Sequence, residues 1–164
     1  MSVPRRAPDG YDCPFCRMAR GAWDACLLST PNDIVYQNET VFAFIGAKQW
    51  PQNRGHVLVC PISHYENLYE LPDETGAAVF RASRLIALAL KEAYICDGVS
   101  TRQHNEPAGN QDVWHYHLHV FPRYTGDDLY GTQGALMPPD DRATYAARLR
   151  TVLASLLAQE GTHL

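Results

Sequence analysis

Three histidines alternate with apolar residues in the segment His115-Tyr116-His117-Leu118-His119. In a β-strand, alternate side chains share one face, so the three imidazoles would lie side by side with about 6.5–7 Å between neighbours. Imidazole serves as a nucleophile, as an acid or base and as a metal ligand near neutral pH. A single histidine is usually an ordinary polar residue with satisfied hydrogen bonds, but three in strict alternation favour a chemical function.

A second group of reactive side chains lies near the N-terminus, where Cys13 and Cys16 form a C-x-x-C motif. Such a pair is either a redox couple or half of a zinc site. The chain has five cysteines, and an odd number argues against a disulfide framework and favours a reducing compartment. A structural zinc site needs four ligands, so the two cysteines alone do not establish one.

The elements that must position these residues follow from turn residues and apolar periodicity. Apolar residues at spacings of three and four predict a helix that begins at Asp73 and ends before Asp97. A second helix begins at Pro138-Pro139-Asp140. This order predicts an α+β fold with a mostly antiparallel sheet around a central helix. Short apolar runs bounded by turn residues predict strands at 34–37, 40–45, 56–60, 99–103 and 113–121.

Length, charge and apolar content limit the classes of protein that the chain can belong to. A length of 164 residues predicts a single domain, preceded by a loose, proline-containing lead-in over residues 1–12. The net charge of −4 disfavours a wide grip on nucleic acid, whose binders carry strong basic patches. The most apolar stretch, Leu85 to Leu90, is too short to span a membrane, and no secretory signal is evident. We therefore expect a cytoplasmic protein that binds neither nucleic acid nor membranes.

Four segments together resemble the histidine triad (HIT) family. The segment from His115 to Phe121 matches the family signature His-x-His-x-His-x-x, in which x is apolar. The run from Gly109 to Val113 is similar to the Gly-Gln-x-Val approach to that signature, with one residue inserted. The run from Gly55 to Pro61 is similar to the family's Gly-His strand, and Val35 to Ile45 resembles its opening hairpin. The resemblance implies a HIT-like fold with a sheet of about five strands over residues 13–164, including a C-terminal helix.

The resemblance also implies an activity, that of a nucleotide hydrolase or nucleotidyl transferase acting at an α-phosphate. His117 would be the nucleophile and would form a nucleotidyl-histidine intermediate, which splits one hard step into two easier ones. His119 would donate to a phosphate oxygen, and Gln111 would hydrogen-bond the phosphate or the leaving group. The implied substrates are dinucleoside polyphosphates or nucleoside phosphoramidates. The alternative is a nucleotide-binding sensor or adaptor with the same fold and no useful turnover, which the intact triad disfavours.

Further residues match positions that contact substrate in the family. His56 would hydrogen-bond within the histidine network, Asn105 would belong to a phosphate-side loop, and Arg123 would steer an anionic substrate. Two positions depart from the family pattern or match none of it. Gly46 stands where several members carry a polar residue that binds ribose, and His104 matches no motif position, so we expect it at the surface.

Zinc and a homodimer complete what the resemblance implies. The branch of the family with C-x-x-C takes its other zinc ligands from positions filled here by His64 and His115, so the implied structural zinc set is Cys13, Cys16, His64 and His115. The alternative is that His64 caps the following segment and the cysteines are ordinary thiols. Family members pair through the central helix and an edge strand. An alanine stripe would let two such helices approach closely, formed by Ala78, Ala82, Ala89 and Ala93.

Overall fold

The histidines are carried by an antiparallel sheet in a computed structural model that describes residues 5–161. In this part of the chain, five strands pair in the order β1-β2-β4-β6-β5, and two short strands, β3 and β7, pair separately. The strands are β1 (Ile34–Gln37), β2 (Val41–Ile45), β3 (Lys48–Gln49), β4 (Val57–Pro61), β5 (Gly98–Gln103), β6 (Leu118–Arg123) and β7 (Ala135–Leu136). The helices are α1 (Pro14–Ala19), α2 (Asp73–Tyr94) and α3 (Pro139–Gly161). The predicted α+β fold, with its five-stranded antiparallel sheet, is confirmed.

Both faces of the sheet are covered, which explains why the central strands are apolar throughout rather than alternating. All five residues of β2 and all five of β4 are buried. Alternate β2 residues such as Ala43 join the core beneath α2 and α3. Their neighbours Phe42 and Phe44 join a smaller core with Phe15 of α1. The N-terminal segment therefore forms a second layer on the face opposite the two long helices.

The alanine stripe of α2 is largely buried within the chain, contrary to our expectation that it forms a helix-to-helix contact between subunits. Ala82, Ala89 and Ala93 are buried in the core that α2 shares with the sheet and α3. Small side chains at these positions let the helix lie close to the sheet. The outer face of α2 instead exposes large apolar residues, Phe80 at 69% and Leu88 at 45%. If α2 contacts a partner, these side chains make the contact.

The C-terminal helix α3 packs along α2 and is tied by a buried ion pair to the turn that precedes β1. Arg142 is 2% exposed, and its guanidinium makes two hydrogen bonds to the carboxylate of Asp33, at 3.0 and 2.9 Å. It also donates to the carbonyls of Met137 and Leu28, the latter at 2.9 Å. None of the helices within residues 5–161 is long and apolar enough to cross a membrane.

The predicted strand over 113–121 is wrong in its first half, because β6 begins only at Leu118. Before it, the amide of His115 bonds locally to the Val113 carbonyl at 2.8 Å, and the amide of Tyr116 bonds to the carbonyl of Tyr65 at 2.6 Å. These bonds turn the backbone away from the sheet, so two of the three histidines lie ahead of the strand. The described part of the predicted lead-in, residues 5–12, has no helix or strand, and residues 1–4 and 162–164 lie outside the description.

Candidate active site and metal site

The three histidines divide between two sites. His117 and His119 lie together, with ring centroids 5.0 Å apart. His117 is 3% exposed, and its Nδ1 lies 2.7 Å from the His115 carbonyl oxygen. A carbonyl only accepts, so Nδ1 carries the proton and Nε2 keeps its lone pair. Burial lowers the pKa of His117, which favours the neutral imidazole that a nucleophile requires.

A second imidazole fixes His119 from behind. His56 Nδ1 lies 3.3 Å from the Lys48 carbonyl oxygen and therefore donates to it, which makes His56 Nε2 an acceptor. That atom lies 2.9 Å from His119 Nδ1, so His119 donates to His56 and turns its Nε2 outward. Burial lowers the pKa of His56 to about 3, and burial together with neighbouring His56 and His117 lowers that of His119. These lowered pKa values keep both rings neutral in the free protein.

Steric contact with His56 explains why position 46 is a glycine here, where several family members carry a polar residue. A Cβ placed on Gly46 would lie 2.9 Å from the ring atoms Cε1 and Nδ1 of His56. Real Cβ contacts are not that short, and the His56 ring is itself held between the Lys48 carbonyl and His119. A larger residue here would therefore displace the imidazole that orients His119.

A cavity of about 350 Å³, here called the triad pocket, opens in front of His117 and His119. Its walls are largely apolar, a usual property of small-molecule sites. Phe15 of α1 stands edge-on to His117, with ring centroids 5.4 Å apart. Asp112 also lines the pocket and had no predicted role. The apolar lining comes from α1, the 27–28 loop and the strands, and includes Phe15, Met18, Leu27, Leu28, Phe44 and Leu58.

Three residues predicted to contact substrate, Gln111, Asn105 and Arg123, are hydrogen-bonded to backbone groups or neighbouring side chains. Gln111 donates to the carbonyls of Glu66 and Val113, and its oxygen accepts from the Glu106 amide. None of the three is among the described residues that line the triad pocket. Their hydrogen bonds explain this, since the polar atoms are already engaged.

Asn105 and Arg123 are the other two residues of that set. The Asn105 oxygen accepts from the Leu68 amide at 2.8 Å, and its amide nitrogen donates to Gln103. Arg123 forms an ion pair with Asp127 and also donates to the Ser100 hydroxyl. Both residues therefore stabilise the loops and the strand edge around the site.

His104 was predicted to lie at the surface, but it is half-buried. Its ring lies 5.4 Å from that of His119, centroid to centroid, and its Nδ1 lies 2.7 Å from the Gly109 carbonyl oxygen. The neighbouring residue on the same face of β5 is Arg102, which stands opposite His119 in the register of β5 and β6. The alternation of Arg102 and His104 in the sequence is the signal that could have placed His104 near His119. That signal can be interpreted only once β5 is known to pair with β6.

The four predicted zinc ligands come together. The ligand atoms of Cys13, Cys16, His64 and His115 all lie within 4.8 Å of one another. The Nδ1 of His115 is 3.3 Å from Cys13 Sγ and 3.5 Å from Cys16 Sγ, and the Nδ1 of His64 is 3.3 Å from Cys16 Sγ. Zinc bonds of about 2.3 Å to sulfur and 2.0–2.1 Å to nitrogen place such atoms about 3.5 Å apart in a tetrahedron. The cluster could therefore bind a metal ion.

Local backbone structure positions the side chains of Cys13, Cys16 and His115 in this cluster. Cys13 is the N-cap of α1, and its sulfur accepts from the Cys16 amide at 3.4 Å, so one helical turn sets the spacing of the two thiols. The other nitrogen of His115, Nε2, lies 2.9 Å from the Pro61 carbonyl and donates to it, which points Nδ1 at the sulfurs. Burial raises the pKa of Cys13 to about 12, and a bound cation reverses that effect because it stabilises the thiolate.

Comparison with known proteins identifies a family model, relatives and a solved structure that this chain resembles. The family model described as HIT domain matches residues 28–126. "Protein hit" of Bacillus subtilis is 33% identical over 148 residues, which cover 88% of this chain and 96% of that protein. Adenylylsulfatase HINT3 of Arabidopsis thaliana is 30% identical over 122 residues, covering 74% of this chain and 57% of that protein. The crystal structure of a Zn-bound histidine triad family protein from Mycobacterium smegmatis superposes with a TM-score of 0.75 at 32% identity, covering 90% and 97% of the two chains.

Proposed function

The chain belongs to the histidine triad family, and on that premise we propose that it is a nucleotide hydrolase or nucleotidyl transferase that acts at an α-phosphate. The observation that carries the proposal is His117, a buried neutral imidazole whose Nδ1–H is fixed by a carbonyl at 2.7 Å and whose Nε2 is left as the nucleophile. The relative named adenylylsulfatase supports nucleotide chemistry of this type. The proposed substrates are a dinucleoside polyphosphate or a nucleoside phosphoramidate.

The proposed reaction has two steps at phosphorus. The lone pair of His117 Nε2 forms a bond to the α-phosphorus, and the bond from phosphorus to the leaving group breaks, with its electron pair going to the leaving group. Water or another acceptor then attacks the phosphorus, loses a proton and displaces the imidazole, which recovers its lone pair. His119, protonated once the anionic phosphate is bound, donates from Nε2 to a phosphate oxygen. His56 positions His119 through their hydrogen bond of 2.9 Å.

We propose that the remaining predicted residues act through their neighbours and not by direct contact with substrate. We propose that Gln111, Asn105 and Arg123 are positioning residues, since each is hydrogen-bonded to the loops and strand edge that surround the site. Their loss would shift the triad pocket rather than remove a contact to phosphate.

We further propose that Cys13, Cys16, His64 and His115 hold a structural zinc ion. A zinc ion bound by four protein ligands has no open position and supplies folding energy rather than chemistry. Support comes from the donor set and from the sulfur-to-nitrogen distances of 3.3–3.5 Å. His115 then holds metal, while the other two triad histidines remain for phosphate.

The proposal extends to assembly and location. We propose a homodimer formed through the exposed face of α2 and the edge strand β5, because α2 exposes Phe80 and Leu88 and an unpaired strand edge favours pairing.

Residues 13–164 would act as one domain, since the cluster of Cys13, Cys16, His64 and His115 ties α1 to the sheet and α3 packs on α2. A cytoplasmic location suits free cysteines and thiolate metal ligands.

A direct assay tests the proposed activity. Zinc-loaded protein is given a fluorogenic adenosine phosphoramidate and, separately, diadenosine tetraphosphate, and release of adenosine monophosphate is followed. We expect turnover of at least one substrate, loss of turnover in His117→Ala, and a decrease of about 10²–10³-fold in His119→Ala, by analogy with the loss of one oxyanion donor. Binding of both substrates without any turnover would instead make the protein a nucleotide sensor.

A further inference from the structure

A second cavity meets the triad pocket at His119. It measures about 420 Å³ and is here called the side pocket. The two cavities share Lys48, Trp50, Asp112 and His119 in their linings, whereas His117 lines only the triad pocket. A substrate held with its α-phosphate at His117 can therefore extend past His119 into the side pocket.

The side pocket carries a cation without a full set of partners. The Arg102 guanidinium is stacked among aromatic rings, 4.8 Å from the centroids of both Phe121 and Tyr130. Its Nη2 makes a 3.3 Å hydrogen bond to the Leu129 carbonyl. Its Nε is buried and has no hydrogen-bond partner within residues 5–161. A buried donor left unpaired is costly, which is the expected condition of a group whose partner is a ligand.

Other side chains that line the side pocket also favour the binding of an anion. Lys48, with a side chain 56% exposed, lines the same pocket and forms an ion pair with Asp112 at 3.7 Å. His104 adds a third nitrogen-bearing side chain at the rim. Among these described residues, two permanent cations face one carboxylate.

Part of the wall of the side pocket is built from a segment that the HIT family model does not reach. That match ends at residue 126, whereas this part of the wall is formed by residues 129, 130 and 132–134. The segment is held by pairing of β7 with β3 and by a hydrogen bond of 3.1 Å from Trp50 Nε1 to the Thr132 carbonyl. Asp128 anchors the start of the segment, since its amide donates to Gln52 at 2.8 Å. The side pocket therefore combines residues inside the matched family segment with residues beyond it.

We propose that the side pocket is a leaving-group subsite that selects a leaving group ending in phosphate, with Arg102 as the specificity-determining residue; this rests on the proposed function. When the bond between phosphorus and the bridging oxygen breaks, its electron pair and a negative charge go to the departing phosphate, which Arg102 and Lys48 stabilise. An amine leaves with a proton and no negative charge, so it gains nothing from these cations. The substrate class is therefore a nucleotide joined to phosphate through an anhydride rather than a phosphoramidate.

The test compares two substrates with the same adenylyl group in three variants. We expect Arg102→Gln to lower kcat/KM for diadenosine tetraphosphate by about 10- to 100-fold, the size of one charged hydrogen bond, and that for the adenosine phosphoramidate by less than about 3-fold. Lys48→Gln should show the same selectivity with a smaller loss. Arg54→Gln, which removes an exposed arginine that does not line either pocket, controls for net charge.

A binding measurement separates this inference from the proposed function. Calorimetry with inorganic triphosphate should give an affinity at least 10-fold weaker in Arg102→Gln than in the wild type, with equal melting temperatures. Equal losses on both substrates, or equal triphosphate affinity in both proteins, would overturn the subsite. If the wild type turns over neither substrate, the proposed function fails, while weaker triphosphate binding in Arg102→Gln would still support an anion subsite.

Discussion

The proton on each histidine ring decides what that histidine can do. A carbonyl behind His117 keeps Nε2 unprotonated, and a second imidazole behind His119 turns its Nε2 towards the substrate. The motif alone predicted that these side chains cooperate, because their types and alternation are visible in the sequence. It could not predict the partner of each ring nitrogen, because the His115 carbonyl and His56 are brought in by backbone turns and by the pairing of β4 with β6.

The contact between Gly46 and His56 gives a prediction at this scale. Gly46→Ala places a Cβ at 2.9 Å from the His56 ring, so we expect His56 to shift and His119 to lose its orientation. Turnover should fall by about 10-fold or more, as misplacement of a catalytic group by about 1 Å costs up to 10²-fold. Steady-state kinetics checks this, with Gly76→Ala on α2 as control, since a Cβ there meets nothing closer than 3.6 Å. Unchanged kcat in Gly46→Ala would show that His56 does not orient His119.

At the scale of elements, strong apolar patterns were predictable and short local elements were not. The helix predicted from Asp73 and the strands β1, β2 and β4 lie within a residue or two of their predicted positions. The six-residue helix α1 was missed, because it is held by the Cys13 cap and by packing of Phe15 rather than by periodicity. The pair β3 and β7 was missed because each strand has two residues and they are far apart in the chain.

Removal of a zinc ligand should release α1. We expect Cys16→Ser to lose zinc, which should lower the free energy of unfolding by about 3 kcal/mol. For a chain of this length, that loss lowers the melting temperature by about 6–12 °C. Nucleotide affinity should fall with it, because Phe15 and Met18 of α1 line the triad pocket. Elemental analysis and calorimetry measure both effects. Cys26→Ser, an exposed thiol outside the cluster, should keep its zinc and its melting temperature. Wild-type protein that folds normally with less than a tenth of an equivalent of metal would refute the zinc site.

The ion pair of Arg142 and Asp33 anchors α3. Arg142→Met leaves the Asp33 carboxylate buried without its partner, so we expect the free energy of unfolding to fall by about 3–5 kcal/mol in urea titrations. The double variant Arg142→Met, Asp33→Leu removes both charges and should recover much of that loss. A single variant within about 1 kcal/mol of wild type would show that packing of Leu149 and Leu153, not the ion pair, holds α3.

At the scale of the whole molecule, the exposed apolar face of α2 predicts a dimer. Light scattering at micromolar concentration should give twice the chain mass of 18.4 kDa. Phe80→Asp places a charge on this face and should give the single-chain mass. Leu157→Asp, on the exposed side of α3, should leave the dimer intact. A wild-type mass of one chain would exclude the proposed assembly.

Covalent catalysis by His117 is the central step of the proposed reaction, and one measurement tests it directly. Wild-type protein is mixed with a nucleotide substrate labelled at the α-phosphate and quenched within the first turnover. We expect label on the protein, stable to base and released by acid as a phosphorus-to-nitrogen bond requires, and none on His117→Ala. A wild type that turns over while never carrying label, together with His117→Ala that keeps most of the activity, would contradict the account and favour direct attack by water.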